Sequence, residues 1–414
     1  MRALFRVMSS LELTVLLLGF SGLLVFFGTL DQVHYGIHLV QKRYFASFLA
    51  FWQYPLQWPG GEALYWLRLP LPGGYLLGIL LLINLLSAHF RFFRPTWKKT
   101  GIVLIHSGVL LLIVSGFVSG VFQKESLMWI DEGGRSNYSE DYNSNELVLI
   151  DTTASDWDEV FSVPFAQLES GEAFTHPQLP FRIEPLYVFE NALLASREQN
   201  PQAPPSPTTR GVGLDLAVFP RPPTYKENEA NRATAYIRLT GNEGSDLGVW
   251  LVSNVLDERF PPQAFDHAGR SYTLALRFKR HYHPFWLELE DFSYDRYPGT
   301  EIPRNFSSQV TILNPERSEE RQVLISMNHP LRYAGLTFFQ ASFDELTEKA
   351  SALMVVRNPG WSLPYVAIVL LGVGMLVQFT MHLYLYLQKR VQPTSSHRQN
   401  EEGLKTRVSN TLKV

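Results

Sequence analysis

Hydrophobic and polar positions divide this chain into two apolar ends and a polar middle. Four stretches, 11–30, 73–93, 101–121 and 361–387, are continuously apolar over roughly 20 residues, enough to cross a bilayer as helices. The stretch 122–360 has a different pattern. ELVLIDT, AYIRLTG, LGVWLVS, YTLALRF, FWLELEDF, SQVTILN, RQVLISM and LTFFQASF are short and β-rich, with Gly, Pro or Asn between many of them. They predict an all-β sandwich or open barrel. The expected fold is a membrane protein with four transmembrane helices and a large all-β extracytoplasmic domain between the third and fourth.

Charge orients these segments. Arg2 and Arg6 precede the first span, Arg91, Arg94, Lys98 and Lys99 fill the turn between the second and third, and Lys389 and Arg390 follow the fourth. The positive-inside rule assigns all three places to the cytoplasm, so both termini are expected inside. The organisation expected is an N-terminal transmembrane helix at 1–30, an extracytoplasmic interfacial loop at 31–72, and a transmembrane hairpin with a basic cytoplasmic turn at 73–121. The β domain follows at 122–360, then the C-terminal transmembrane helix at 361–388 and a disordered cytoplasmic tail at 389–414. The first helix is expected to be an uncleaved anchor, since no small-x-small cleavage site follows it. Mixed aromatics and charges in 31–72 predict an amphipathic helix on the membrane surface. The Pro-, Ser- and Thr-rich run REQNPQAPPSPTTRG, 197–211, predicts a disordered insertion dividing the β domain into a smaller and a larger lobe.

Composition narrows the chemistry. The 414 residues carry a formal net charge of -3 and no cysteine. The charge gives no basis for nucleic-acid binding. The absence of cysteine excludes thiol redox catalysis, disulfides, thiolate metal ligation and iron–sulfur clusters. No phosphate-binding glycine loop, HExxH or GxSxG motif is present.

Eleven histidines remain. His89, His106 and His382 each fall about four or five residues from the cytoplasmic end of a span, roughly 6–9 Å inside one face at the helical rise. An imidazole pair is a standard way to hold a b-type haem between helices, and Arg91 and Arg94 are near enough in sequence to pair with propionates. Hydrogen bonding between helices is the simpler use for such histidines. Spacing leaves open which two would share an iron, or whether one ligand comes from another chain. Outside the spans, His34 and His38 share a helix face and His281 and His283 a strand face, as metal or haem contacts or as ordinary surface histidines. His329 precedes a proline and is expected in a turn. Arg277, Lys279 and Arg280 form a basic cluster expected on a solvated strand edge, and YPGT at 297–300 has the chemistry of a tight turn.

NHPLRYAGLTFFQASFD (328–344) resembles the ResB-family pattern N-x-P-L-x-Y-x-G-x-x-x-Y-Q-S-S-Y, with Phe339 at the first tyrosine position and Ala341–Phe343 at the serine and tyrosine positions. LEDFSYDRYPGTEIPRNFSSQVTI (288–311) resembles the same family's D-F-x-x-x-x-Y-P-G-T-x-I-P-x-x-F-x-S, and GTLDQ and the four-span layout fit too. The resemblance implies a subunit of the system II cytochrome c maturation complex in a bacterial inner membrane, with the large domain periplasmic. It implies a CcsA-type partner bearing the WWD motif, absent here, apocytochrome c as acceptor of haem at CxxCH, and a thiol-reducing partner. Haem b is the implied cargo, and the chain the non-catalytic subunit of a haem lyase complex. In fused members of the family a histidine of the ResB half helps hold haem within the membrane. His89 matches its place best, then His106, then His382. A b-type cytochrome carrying electrons, and a scaffold or binding module without haem, are the alternatives.

Overall fold

A computed structural model describes residues 2–92, 96–224, 231–256, 260, 262–300, 303–344 and 347–391, excluding the side chains of His38, Lys98, Pro303 and Val391. The polar tail beyond Val391 lies outside the described residues, as does Arg94. The chain divides into two compact units, Met1–Phe27 with Arg43–Phe122 and Gly360–Val414, and Gly28–Lys42 with Gln123–Pro359.

Four helices are long and apolar enough to cross a membrane: a first span Leu11–Tyr35, a second Gly74–Phe92, a third Thr100–Phe122 and a fourth Leu363–Val391. Small residues seat the third span on the fourth. Gly101, Gly108 and Ser115 recur every seven residues and are buried. A Cβ on Gly101 would meet Gln378 Cβ at 2.7 Å, one on Gly108 would meet Leu371 Cγ at 2.7 Å, and one on Gly374 would meet the Ile105 backbone nitrogen at 2.8 Å. Hydrophobicity does not hold helices together in lipid, so close backbone approach supplies the packing.

Between the first and second spans the expected helix is reduced to short helical stretches, Ile37–Val40 and Gln41–Phe45 among them, and the rest of the loop is corrected. Strands β1 (Leu49–Gln53) and β2 (Arg68–Pro72) pair antiparallel instead. Pro55, Pro59, Pro70 and Pro72 explain this, since proline is excluded from helix interiors.

The large unit is β-rich and lies in the chain between the third and fourth spans. Its strands are β3 (Lys124–Asp131), β4 (Arg135–Asp151), β5 (Glu159–Pro164), β6 (Phe181–Phe189), β7 (Ala192–Ser196), β8 (Leu216–Pro220), β9 (Thr234–Gly241), β10 (Asp246–Ser253), β11 (Gln263–His267), β12 (Arg270–Arg296), β13 (Pro303–Asn314), β14 (Glu319–Ser326), β15 (Leu331–Tyr333), β16 (Leu336–Phe343) and β17 (Ala350–Arg357). Two strands expected separately, YTLALRF and FWLELEDF, are one long β12. Its pairing with β4 jumps between Tyr282 and Leu287, and Pro284 falls in that bulge, where a missing ladder N–H does no harm.

Strands β4 and β12 run through two hydrophobic cores. In the first, β11-β12-β4-β5 packs over β10-β9-β6, burying Leu147, Leu149, Leu274, Ile237 and Trp250. In the second, β12 continues with β13, β14, β3, β17, β16 and β15 around Met128, Phe285, Leu287, Val310, Phe338 and Leu353. Core one is thus a sandwich.

Two further expectations are corrected here. Residues 197–211 form a fixed loop: Thr208 is buried and its hydroxyl donates to the Gly213 carbonyl at 2.8 Å, and Arg197 donates to the carbonyls of Pro204 and Leu216. The basic cluster does lie on a strand edge, since among the described residues β12 pairs only with β4 from Ala275 to Tyr282, but it is only partly solvated: Lys279 is exposed and Arg277 is buried. Arg277 Nε lies 3.1 Å from Glu146 Oε1, with both side chains under a tenth exposed, and Arg280 pairs with Glu140 at 2.9 Å.

Gly108→Leu is expected to drive Leu371 and the Ala367 carbonyl apart and cost about 1–3 kcal/mol, whereas Gly116→Ala, with open space around it, leaves stability unchanged or raised. Thermal unfolding of both variants in detergent checks the pair, and equal midpoints would contradict the packing. Arg277→Met is expected to cost about 3–5 kcal/mol by leaving the buried Glu146 carboxylate without its counter-charge, read by the same unfolding measurement.

Candidate functional site

Polar side chains in the spans can fix a helix face through their hydrogen bonds. Asn84 is buried in the second span. Its amide donates to the Met8 and Ser10 carbonyls at 2.8 and 3.1 Å, and its oxygen accepts from the Thr14 hydroxyl at 2.6 Å. The face carrying Asn84 is thereby tied to the start of the first span. His89 is five residues further on, about 140° around the helix, and so projects from a different face.

That face meets the third span. The His89 and His106 rings lie 6.4 Å apart between centroids at 60° to one another, both partly buried. His106 is also about 140° from the Gly101 stripe that seats the third span on the fourth. The structure therefore joins His89 and His106 from among the three candidates.

His382 stands apart from them. It is exposed, and its Nε2 is 2.7 Å from Gln378 Nε2 on the preceding turn. Gly101 lies against Gln378, and Gly374 against Ile105. This register places His106 level with Val373, so His382 is about 14 Å further along the axis, beyond the start of the third span. The common depth expected for the three histidines is not found. Counting from helix ends assumes that all the helices stop in one plane, and the fourth continues to Val391.

Arg91 is two residues past His89 and turned away from the imidazole pair. Its Nη1 donates to the Ser9 hydroxyl at 2.8 Å and the Arg6 carbonyl at 3.2 Å. The expected pairing of Arg91 with a propionate beside the histidines is therefore not prepared here.

Two metal–imidazole bonds of about 2 Å each, with each nitrogen about 1 Å from its ring centre, separate ring centroids by about 6 Å. The His89–His106 spacing fits one metal held between two imidazoles. Among the described residues no group of three or more His, Cys, Asp or Glu is placed to hold a metal ion. A metal between this pair would take its other ligands from the molecule that carries it, as a porphyrin supplies four nitrogens.

The histidines outside the spans read differently. His281 and His283 lie on β12, and His283 stacks on Phe285 at 5.4 Å with its Nε2 3.1 Å from the Ser139 hydroxyl. Burial, with a smaller contribution from His281, pushes its pKa down to about 4. It is a packed, neutral residue of the second core. His34 ends the first span, and the His38 side chain lies outside the described residues, so that pair is untested. His329 sits in the expected turn, exchanging backbone hydrogen bonds with Ser326 at 3.0 and 3.3 Å.

The two quoted motifs form adjacent hairpins. Gly299 at φ 76° and the Thr300 N–H on the Tyr297 carbonyl make the tight turn of YPGT, while Ala334 and Gly335, both at positive φ, turn β15 into β16. The hairpins meet at Phe343, whose ring lies 5.4 Å from Phe292, 4.6 Å from Tyr294 and 5.8 Å from Phe306. Ser308 donates to Gln340 Oε1 at 2.7 Å behind them. Phe292 belongs to the second core, and Tyr294, Phe306 and Phe343 pack against it.

Comparison with known proteins picks out this same region. Residues 263–349 match the ResB-like family. A stretch of 93 residues, 22% of this chain, is 37% identical to 10% of Protein NrfI of Wolinella succinogenes. Stretches of 78 residues, 19% of this chain, are 37% and 36% identical to 17% of the cytochrome c biogenesis proteins CcsB of Synechococcus sp. (strain WH7803) and Prochlorococcus marinus (strain MIT 9313). The matches therefore span a tenth to about a sixth of those relatives.

The His283 shift predicts a pH dependence. Its folded pKa lies below the unfolded value near 6.5, so the unfolded chain binds more protons between those values and stability falls as pH drops from about 6.5 toward 4. Unfolding midpoints measured across that range are expected to decline less in His283→Phe than in the native chain, and equal slopes would contradict a neutral buried His283.

Proposed function

We propose, from the premise that residues 263–349 make this chain a ResB-like family protein, that it serves cytochrome c biogenesis by holding haem between His89 and His106. The observation that carries this reading is the imidazole pair at 6.4 Å. Neutral imidazoles supply two axial ligands, and the porphyrin completes the iron's coordination. The haem is cargo and not a resident cofactor.

The chain's own residues have the tasks of position and exclusion. Asn84 fixes the rotation of the second span, and the glycine stripe fixes the third on the fourth, so neither imidazole swings freely. The apolar spans limit the access of water to the pair. On the charge argument the pair lies nearer the cytoplasmic end of the hairpin, and an apocytochrome c would be met across the membrane from it. A CcsA-type membrane protein is the expected partner for the attachment step, as the relatives named CcsB suggest.

An electron-carrying b-type cytochrome is disfavoured. Passing electrons across the membrane requires haems at two depths, and among the described span residues a histidine pair forms at one level only.

Purified native chain, with and without a co-expressed CcsA-type partner, is expected to carry six-coordinate haem b by absorption spectroscopy. His89→Ala and His106→Ala are each expected to lose that signal and recover it with added imidazole, while His382→Ala keeps it. A six-coordinate signal unchanged in both single variants, or haem absent from every preparation, would reject the assignment.

A further inference from the structure

At the end of the second span lies a cleft of about 390 Å³ lined by Arg2, Phe5, Arg6 and Arg91. All four residues are exposed, and none of the lining residues is acidic. Three guanidiniums converge here without a carboxylate among them. Arg91 is held in place by the Arg6 carbonyl and the Ser9 hydroxyl, so one wall of the cleft is preset. Arg2 and Arg6 are one turn apart on the short helix Arg2–Met8 and share its face.

The surroundings indicate what the anion is attached to. The same helix exposes Leu4, Phe5 and Val7, at 65, 44 and 54%, beside the charged cleft. The first span continues with exposed Leu11, Val15, Leu16 and Leu18. A basic cleft bordered by apolar side chains at the end of a span matches an amphiphile with an anionic head. Guanidinium forks bind phosphate oxygens in pairs, and Phe5 offers a surface to the first methylenes of a chain.

We propose that Arg2, Arg6 and Arg91 bind the phosphate of an anionic lipid headgroup, anchoring the N-terminal helix to the second span. The proposal rests on the chain spanning a membrane and not on haem binding, so the two can fail separately.

The test is native mass spectrometry of the full chain in detergent, titrated with phosphatidylglycerol or phosphatidylcholine. The native chain is expected to prefer phosphatidylglycerol. The R2Q/R6Q variant, which leaves Arg91 and its hydrogen bonds untouched, is expected to bind it at least about tenfold more weakly, since each basic side chain near an anionic surface is worth roughly a factor of five. The R2K/R6K variant keeps most of the affinity. Equal binding of both lipids, or unchanged affinity in R2Q/R6Q, overturns the site. Displacement of the lipid by inorganic phosphate at similar concentration would overturn the lipid assignment in favour of a free anion. Displacement by haem but not by its dimethyl ester would overturn it in favour of propionates.

Discussion

A polar side chain inside an apolar helix bundle must find a partner or impose a large cost, and the arrangement of the spans follows from that constraint. Asn84 meets it with three hydrogen bonds to the start of the first span. Doing so turns the second span, and with it His89, toward the third. The third span is turned in its own right by glycines that admit the fourth helix's backbone. Two independent locks thus bring His89 and His106 close together, with their rings tilted at 60° and 6.4 Å apart, and neither lock is made by the histidines. At the other helix pair Gln378 lies over Gly101 and its Nε2 reaches His382, while its buried Oε1 has no hydrogen-bond partner among the described residues.

The β-rich unit answers to a different requirement, the burial of two cores by strands that pass through both. Strand β12 carries Leu274 and Leu276 into one core and Phe285, Leu287 and Leu289 into the other, with a bulge between. Its buried Arg277 is neutralised by Glu146 on β4 at the boundary. The segment matched by the ResB-like family falls across β11 to β16, and its two motifs pack against each other at Phe343. Sequence likeness there records the making of a core.

The spans were legible because length and hydrophobicity alone decide them, and their ends agree with expectation within a few residues. Most of the expected strands were legible from alternation. Strands β3, β5, β6, β7, β8, β11, β15 and β17 were not: KESLMWID and EVFSVP mix charge into the pattern, and ASALMVVR is apolar on both faces. The 197–211 loop defeated composition because its order comes from distant residues: Gly211 lies under the Trp250 ring and Gly213 against Leu251. The three histidines were visible as candidates. Which two meet depends on helix rotation set by Asn84 and by the glycine stripe, and no count from a helix end contains that information.

We propose that one iron is shared by His89 and His106. Electron paramagnetic resonance of the haem-loaded ferric chain, prepared with nitrogen-15-labelled histidine, tests it directly. A low-spin signal with hyperfine coupling to two histidine nitrogens, reduced to one in His89→Ala and in His106→Ala alike, is the predicted result. A high-spin signal, or a second axial ligand that persists in both variants, would contradict it.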